Sequence, residues 1–169
     1  MKPFESEFYS LVRWFARRGH SKIGFTGSAR GMTPGQIDTL RKILTEMKAG
    51  GAMEFHTCDG AGSDFEAHQM AREAGARLIG HPPREETRPN GQPMRAHCKF
   101  DMEFPPLPIV AAKRELIDDS DLIIGAPDTL IESPTSVTWM AIEYARQLAA
   151  KKLKAVMVLE PEPTNIRVA

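Results

Sequence analysis

The order of apolar and polar positions divides the chain into alternating helices and strands. Phe4, Phe8, Leu11, Val12 and Phe15 recur at helical spacing and Gly19 supplies a stop, so residues 1–20 open the chain as an amphipathic helix. Its apolar stripe needs a cover. "KIGFTGS" then reads as a buried strand, and "TPGQIDTLRKILTEMKAGG" as a helix with Thr33 as N-cap, Pro34 at the first helical position, Gln36 completing a capping box and glycines at the end. "AMEFHTC" is a second strand, followed by a helix from about Asp64 to Ala74 that stops at Gly75, and "ARLIGH" is the third strand.

From Pro82 to Pro108 the periodicity is lost. The stretch is dense in Pro, Arg and polar residues, with a turn signal at Asn90-Gly91. Connections of this length without structure of their own are uncommon in compact domains and tend to be lids, binding loops or disordered. It is an excursion and not a linker, because too little chain lies on either side for two independent cores. Beyond it, "IVAAKRELIDDS" is helical, "DLIIGAP" is a strand, "TWMAIEYARQLAAKK" is an amphipathic helix and "KAVMVLEP" is a closing strand.

Strands alternating with helices predict an α/β fold: a doubly wound parallel sheet of about five strands, order 3-2-1-4-5, with right-handed crossovers and an extra N-terminal helix. In that order a crevice opens between the carboxyl ends of the first and fourth strands. The loops "TGSARGM" and "GAPDTLIESPTSVT" then face each other, with "CDGAGSD" beside them.

Composition narrows the function. A chain of 169 residues, 41% of them hydrophobic, suits one domain spanning 1–169. Twenty-two basic residues balance 22 acidic ones, which gives no electrostatic footprint for duplex DNA or an anionic membrane. Cys58 and Cys98 make no disulfide framework and no C-x-x-C pair, which fits a reducing compartment. With no apolar run of bilayer length and no signal-peptide core, the expectation is a soluble, cytoplasmic protein.

The three loops carry the candidate chemistry. In the first, Gly27, Ser28, Arg30 and Gly31 place a hydroxyl, small residues and a guanidinium ahead of a capped helix, an arrangement that suits phosphate; the alternative is an Arg30 that only solvates a loop tip. The loop lacks the Gly-Lys-Ser/Thr ending of a Walker A loop, and G-x-G-x-x-G is absent. In the second, Gly60 and Gly62 allow tight bends, and Ser63 with Glu66 is spaced as a capping box. Amides at such a helix start attract anions, but Asp59, Asp64 and Glu66 crowd the same end. Asp64 is therefore expected to accept ribose hydroxyls or to pin the loop, unless the segment is only a self-satisfied turn. In the third, Ser136 and Thr138 stand at a helix start, and Trp139 either stacks on a base or belongs to the core. Gly125, at the end of the fourth strand, completes the candidate ligand-binding set.

Other chemistries fit less well. His56, Cys58, Asp59, Asp64 and His68 resemble a list of metal ligands, but no spacing puts two of them on one face, so no metal site is assigned. His68 is expected to be an exposed helix residue and Cys58 a small core residue. No serine sits in a nucleophile elbow, no Cys/His pair is identifiable, and no cofactor is implied.

"IGFTGSARGMTPGQ", "HTCDGAGSDFEAH", "HPP", "RAHC", "DDSDLIIGAP" and "TSVTWMAIEYAR" resemble, in order, the blocks of the SLOG superfamily, a Rossmann-like group that includes the DNA-processing protein A and Lonely guy families. The likeness covers roughly residues 22–160 and is greatest to small stand-alone bacterial and phage members. It implies a pocket for a nucleotide or nucleotide derivative built from Gly27, Ser28, Arg30 and Gly31, from Gly62 and Asp64, and from Ser136, Thr138 and Trp139. Where relatives have R-S-G-T-W, this chain has Thr135-Ser136-Val137-Thr138-Trp139, losing the arginine and the glycine; where they carry R-N-R, it reads Ala112-Lys113-Arg114. A β-branched Val137 admits a phosphate less closely than glycine does. The catalytic glutamate of Lonely guy enzymes falls on Ala141, and Glu143 is turned about 200° from it around a helix.

The expected function is binding or sensing of a nucleotide-derived small molecule. One alternative is a nucleotide hydrolase acting on an N-glycosidic or phosphoester bond, with Asp64 as acid/base. A second is single-stranded DNA handling, for which only Arg84, Arg88, Arg95, His97 and Lys99 of the excursion offer charge, so a nucleic-acid partner is not expected. The first helix offers a surface for self-association, as in a homodimer.

Overall fold

The computed structural model describes residues 3–151, 154–161 and 166–168, apart from the side chains of 3–7 and 166–168. Met1, Lys2, the Phe4 side chain and Lys152, parts of the predicted terminal and last helices, lie outside the described residues. Helix α1 (Pro3–Ala16) leads to β1 (His20–Gly27), α2 (Pro34–Ala49), β2 (Ala52–Thr57), α3 (Ser63–Glu73) and β3 (Arg77–Gly80). The excursion contributes β4 (Met102–Glu103). After it come α4 (Ile109–Asp118), β5 (Leu122–Ala126), α5 (Val137–Ala149), β6 (Ala155–Leu159) and β7 (Ile166–Val168).

The five predicted strands stand in the predicted order, as β3-β2-β1-β5-β6, all parallel. Two short strands extend the sheet: β4 lies parallel to β3, and β7 runs antiparallel to β6. Alternation within each strand sorts side chains between two cores. Ile23, Phe25, Met53, Phe55, Leu122 and Ile124 face α1, α2 and α3, whereas Ile123, Val156 and Val158 face α4 and α5. Burial on both faces explains why these strands read as continuous apolar runs.

Local sequence sets the element ends. Thr33 Oγ1 accepts from Gln36 N at 3.3 Å and Gln36 Oε1 from Thr33 N at 2.9 Å, forming the predicted capping box. The Gln36 amide also donates to Pro127 O and Leu159 O, which ties the start of α2 to the ends of β5 and β6.

Two expectations are corrected. Ser63 and Glu66 form no capping box: Gly62 is the N-cap of α3, without a side-chain bond. The first two loops pack too closely for one. A Cβ on Gly62, whose φ is 93°, would lie 2.3 Å from Ala29 O, and one on Gly27 would lie 2.4 Å from Ser63 Cβ. Ser63 Oγ is thereby buried without a hydrogen-bond partner among the described residues, and the Glu66 carboxylate reaches across the loops to accept from Met32 N at 2.6 Å. His68, in turn, is buried and not exposed. Phe100 of the excursion covers it edge-on at 4.9 Å, a contact with no periodic signal in the sequence. Burial and the neighbouring Arg72 lower its pKa.

The excursion is ordered around short polar links. A turn at Asn90-Gly91 closes a small hairpin in which Thr87 bridges Pro93 and Met94 N donates to Glu86 O. Phe100 packs on the α3 side of the sheet, while Phe104 stacks on His81.

Candidate functional site

Ser28 N donates to Ala126 O at 3.0 Å, the last link before β1 and β5 part. Beyond it lies a cleft of about 310 Å³. The first loop lines it with Gly27, Ser28 and Arg30, the second with Cys58, Gly60 and Ala61, and the segment entering α5 with Ser136, Val137 and Thr138. Arg30 and Thr138 thus border one concavity, as the strand order requires. Further walls include Ile109 and Lys113 of α4, Asp128, and Pro83, Arg88 and Met94 of the excursion.

Asp64 is a strut at the base of this cleft. Its Oδ1 accepts from Gly27 N at 3.1 Å, and its Oδ2 accepts from Gly60 N at 3.3 Å and from Lys113 Nζ at 3.2 Å. One carboxylate therefore joins β1, the second loop and α4. Lys113 is 7% exposed. Burial, the largest single influence, opposes its charge, but the surrounding groups, the facing and hydrogen-bonded Asp64 carboxylate foremost, together raise its pKa, so it is a fixed cation. Burial pushes the neighbouring Cys58 thiol up to about 12, which leaves it protonated and poorly nucleophilic.

The other loops are held by side-chain caps. Ser28 Oγ accepts from Arg30 N at 3.0 Å, and Thr138 Oγ1 donates to Gly27 O at 3.0 Å, linking α5 to β1. Ser136 caps α5 by accepting from Trp139 N. Val137 occupies the first helical position and needs no left-handed backbone: Asp59 and His97 are the non-glycine residues with positive φ among those described. The amides of Val137 and Thr138, in the first turn, have no intrahelical acceptor.

Gly31, Gly62, Gly125 and Trp139 do not line the cleft. Gly31, at φ 92°, lets the chain pass the Glu66 carboxylate, and Gly62 admits Ala29. Gly125 makes room for Ile142, since a Cβ there would lie 2.6 Å from Ile142 Cδ1. Trp139 is buried with α4 and β6, its indole N–H donating to Thr129 O at 3.2 Å, which is the core reading of that residue. Ala141 is buried in the same core.

Sequence reasoning missed Lys113 and Arg88 as lining residues. Lys113 had a signal: it sits three and four residues before Leu116 and Ile117, on the apolar stripe of its helix. Arg88 had none.

Beside β2 and β3 lies a polar chain whose two histidines are buried and whose Glu115 end is half-buried. His81 Nδ1 is 2.9 Å from Glu115 Oε2, and His81 Nε2 is 2.9 Å from His56 Nδ1. With the carboxylate accepting at Nδ1, neutral His81 accepts at Nε2, and His56 donates from Nδ1. His56 Nε2 is left as a lone pair 3.5 Å from Glu54, without a hydrogen bond among the described residues. Burial first, and His81 second, pull the His56 pKa down to about 4. Among the described residues, no group of three or more His, Cys, Asp or Glu is placed to hold a metal ion, and no helix is long and apolar enough to cross a membrane.

No family model and no curated protein sequence matches the chain. Solved structures do. The chain is similar to the molybdenum cofactor binding protein of the phototrophic bacterium Rippkaea orientalis, with a TM-score of 0.59 and 18% identity over 85% of this chain and 78% of that one. It is also similar to the molybdenum cofactor carrier protein of Chlamydomonas reinhardtii, with a TM-score of 0.54 and 19% identity over 85% and 79%. Likeness at this identity establishes a shared architecture, the doubly wound Rossmann-like α/β sheet.

Proposed function

We propose that the cleft binds a phosphate-bearing, nucleotide-derived small molecule, and that the chain is a member of the SLOG superfamily. The observation that carries this reading is the charge of the cleft. Arg30, Arg88 and Lys113 face Asp64 and Asp128, one cation in excess, beside the Ser28 and Ser136 hydroxyls and first-turn amides. Its volume lies near the lower end of the roughly 300–1,000 Å³ common for small-molecule sites. The molybdenum cofactor named for the two structural neighbours belongs among the ligands to try.

Binding is favoured over hydrolysis because Asp64, the acid/base candidate, already accepts three hydrogen bonds. The excursion does not supply a basic groove for single strands either: Arg95 faces Asp59, Glu86 and Glu103, and His97 faces Glu86. Calorimetry against nucleoside phosphates, ADP-ribose derivatives and the molybdenum cofactor tests the reading, and silence across the panel would refute it. Self-association through α1 is part of the proposal, supported by Trp14 standing 49% exposed on that helix, and light scattering tests it.

A further inference from the structure

The three cations of the cleft differ in their partners. Lys113 faces Asp64 at 3.2 Å, and Arg30 faces Asp128 at 3.5 Å. Arg88 has no carboxylate partner among the described residues. Its Nε donates to Pro93 O at 3.3 Å, and its two terminal nitrogens make no hydrogen bond to a described residue.

Arg88 is also held in place. Its own N–H donates to Gln92 O, and Gly91 N donates to Arg88 O, so the residue sits at the neck of the Asn90-Gly91 turn. The hairpin is anchored to the second loop of the cleft: Ala61 N donates to Met94 O, Ala96 N to Asp59 O, and Arg95 bridges Gly60. Asp59 completes the clamp, accepting from Arg95 Nε at 3.0 Å and Cys98 N at 2.8 Å. An arginine with two unengaged terminal nitrogens, its backbone fixed at the wall of a cleft with an excess positive charge, has the geometry for two parallel bonds to anionic oxygens.

We infer that Arg88, brought to the cleft by the excursion, is its anion-recognising residue and selects ligands that carry a phosphate. This rests on the binding reading of the cleft. It places specificity in the inserted hairpin, while the Rossmann-like loops supply the floor.

The test is calorimetric titration of the full chain with inorganic pyrophosphate at low ionic strength. Arg88→Gln, which leaves the backbone bonds of the turn in place, is expected to weaken binding by about ten- to a hundredfold. Arg88→Lys keeps the charge but not the fork, and is expected to fall between the glutamine variant and the unmodified chain. Arg84→Gln removes an exposed arginine of the same excursion that does not line the cleft, and is expected to stay within about twofold. If the unmodified chain binds and Arg88→Gln matches it, the role of Arg88 is overturned and the binding reading survives. If Arg88→Lys matches the unmodified chain while Arg88→Gln is weakened and both keep the native circular dichroism, charge without the fork suffices, and the inference falls. Absence of binding by the unmodified chain to pyrophosphate and to nucleoside phosphates alike removes both.

Discussion

The two faces of the sheet are covered by different means. On one, α1, α2 and α3 close over a continuous apolar core that runs from Phe8 through Phe25 and Phe55 to Leu159. On the other, α4 and α5 cover the middle and one side, and the part beside β2 and β3 is filled by the His56–His81–Glu115 chain and the excursion. The helical covers on both faces are held by apolar area, the part filled by the excursion by a few directional bonds. Area-based packing is cooperative and resists local opening, whereas a segment held by point contacts can loosen without the rest.

The largest expected effect tests the apolar face. Phe55 is fully buried and stacked on Phe25 at 6.0 Å, so Phe55→Ala is expected to cost about 4 kcal/mol in urea unfolding and to weaken the whole domain in one transition. A loss confined to neighbouring amides would break the contrast between the faces.

Asp59→Asn probes the other cover. Asn also tolerates the left-handed backbone found here at φ 55° and keeps an acceptor for Cys98 N, so the change isolates the charge facing Arg95. A cost of roughly 2 to 3 kcal/mol is expected, concentrated in the excursion. Hydrogen exchange at Ala96 and Cys98 should quicken while that of β1 and β5 stays unchanged, and uniform quickening would show that the two covers are one cooperative unit.

The smallest effect is one of pH. A histidine whose folded pKa lies near 4 and whose unfolded value is 6.5 binds fewer protons folded than unfolded, so stability rises with pH across that window and is lost as pH falls through it. Lowering the pH from 7 to 5 should cost about 2 kcal/mol at His56. His81 and His68, both lowered chiefly by burial, add in the same direction. Urea midpoints at the two pH values measure this, and an unchanged slope in His56→Gln would show that the buried pair is not its source.

The contrast also explains what the sequence disclosed. The capping box at Thr33 and Gln36 follows from spacing within a few residues, and the strand order from the alternation of strands and helices along the chain, so both could be read directly. The cleft's position followed from topology, which brought Arg30 and Thr138 to one mouth. What escaped was decided across long separations. Glu66 abandoned Ser63 for Met32, 34 residues away. His68 went under Phe100 because the excursion folds back, and Arg88 entered the cleft on a hairpin with no period of its own. Lys113 was visible in principle as a charge on an apolar stripe.

The excursion has one more consequence, at the rim of the sheet. Asp101 N donates to Leu78 O, its carboxylate accepts from Leu78 N at 2.7 Å, and Phe104 N donates to Gly80 O. These bonds occupy peptide groups that β3 would otherwise present to passing chains, so the insert acts as a selvedge that stops the fabric from being extended. Trimming it to a short turn would leave a sticky border of Leu78 and Ile79, and the shortened protein should polymerise before it loses its helices.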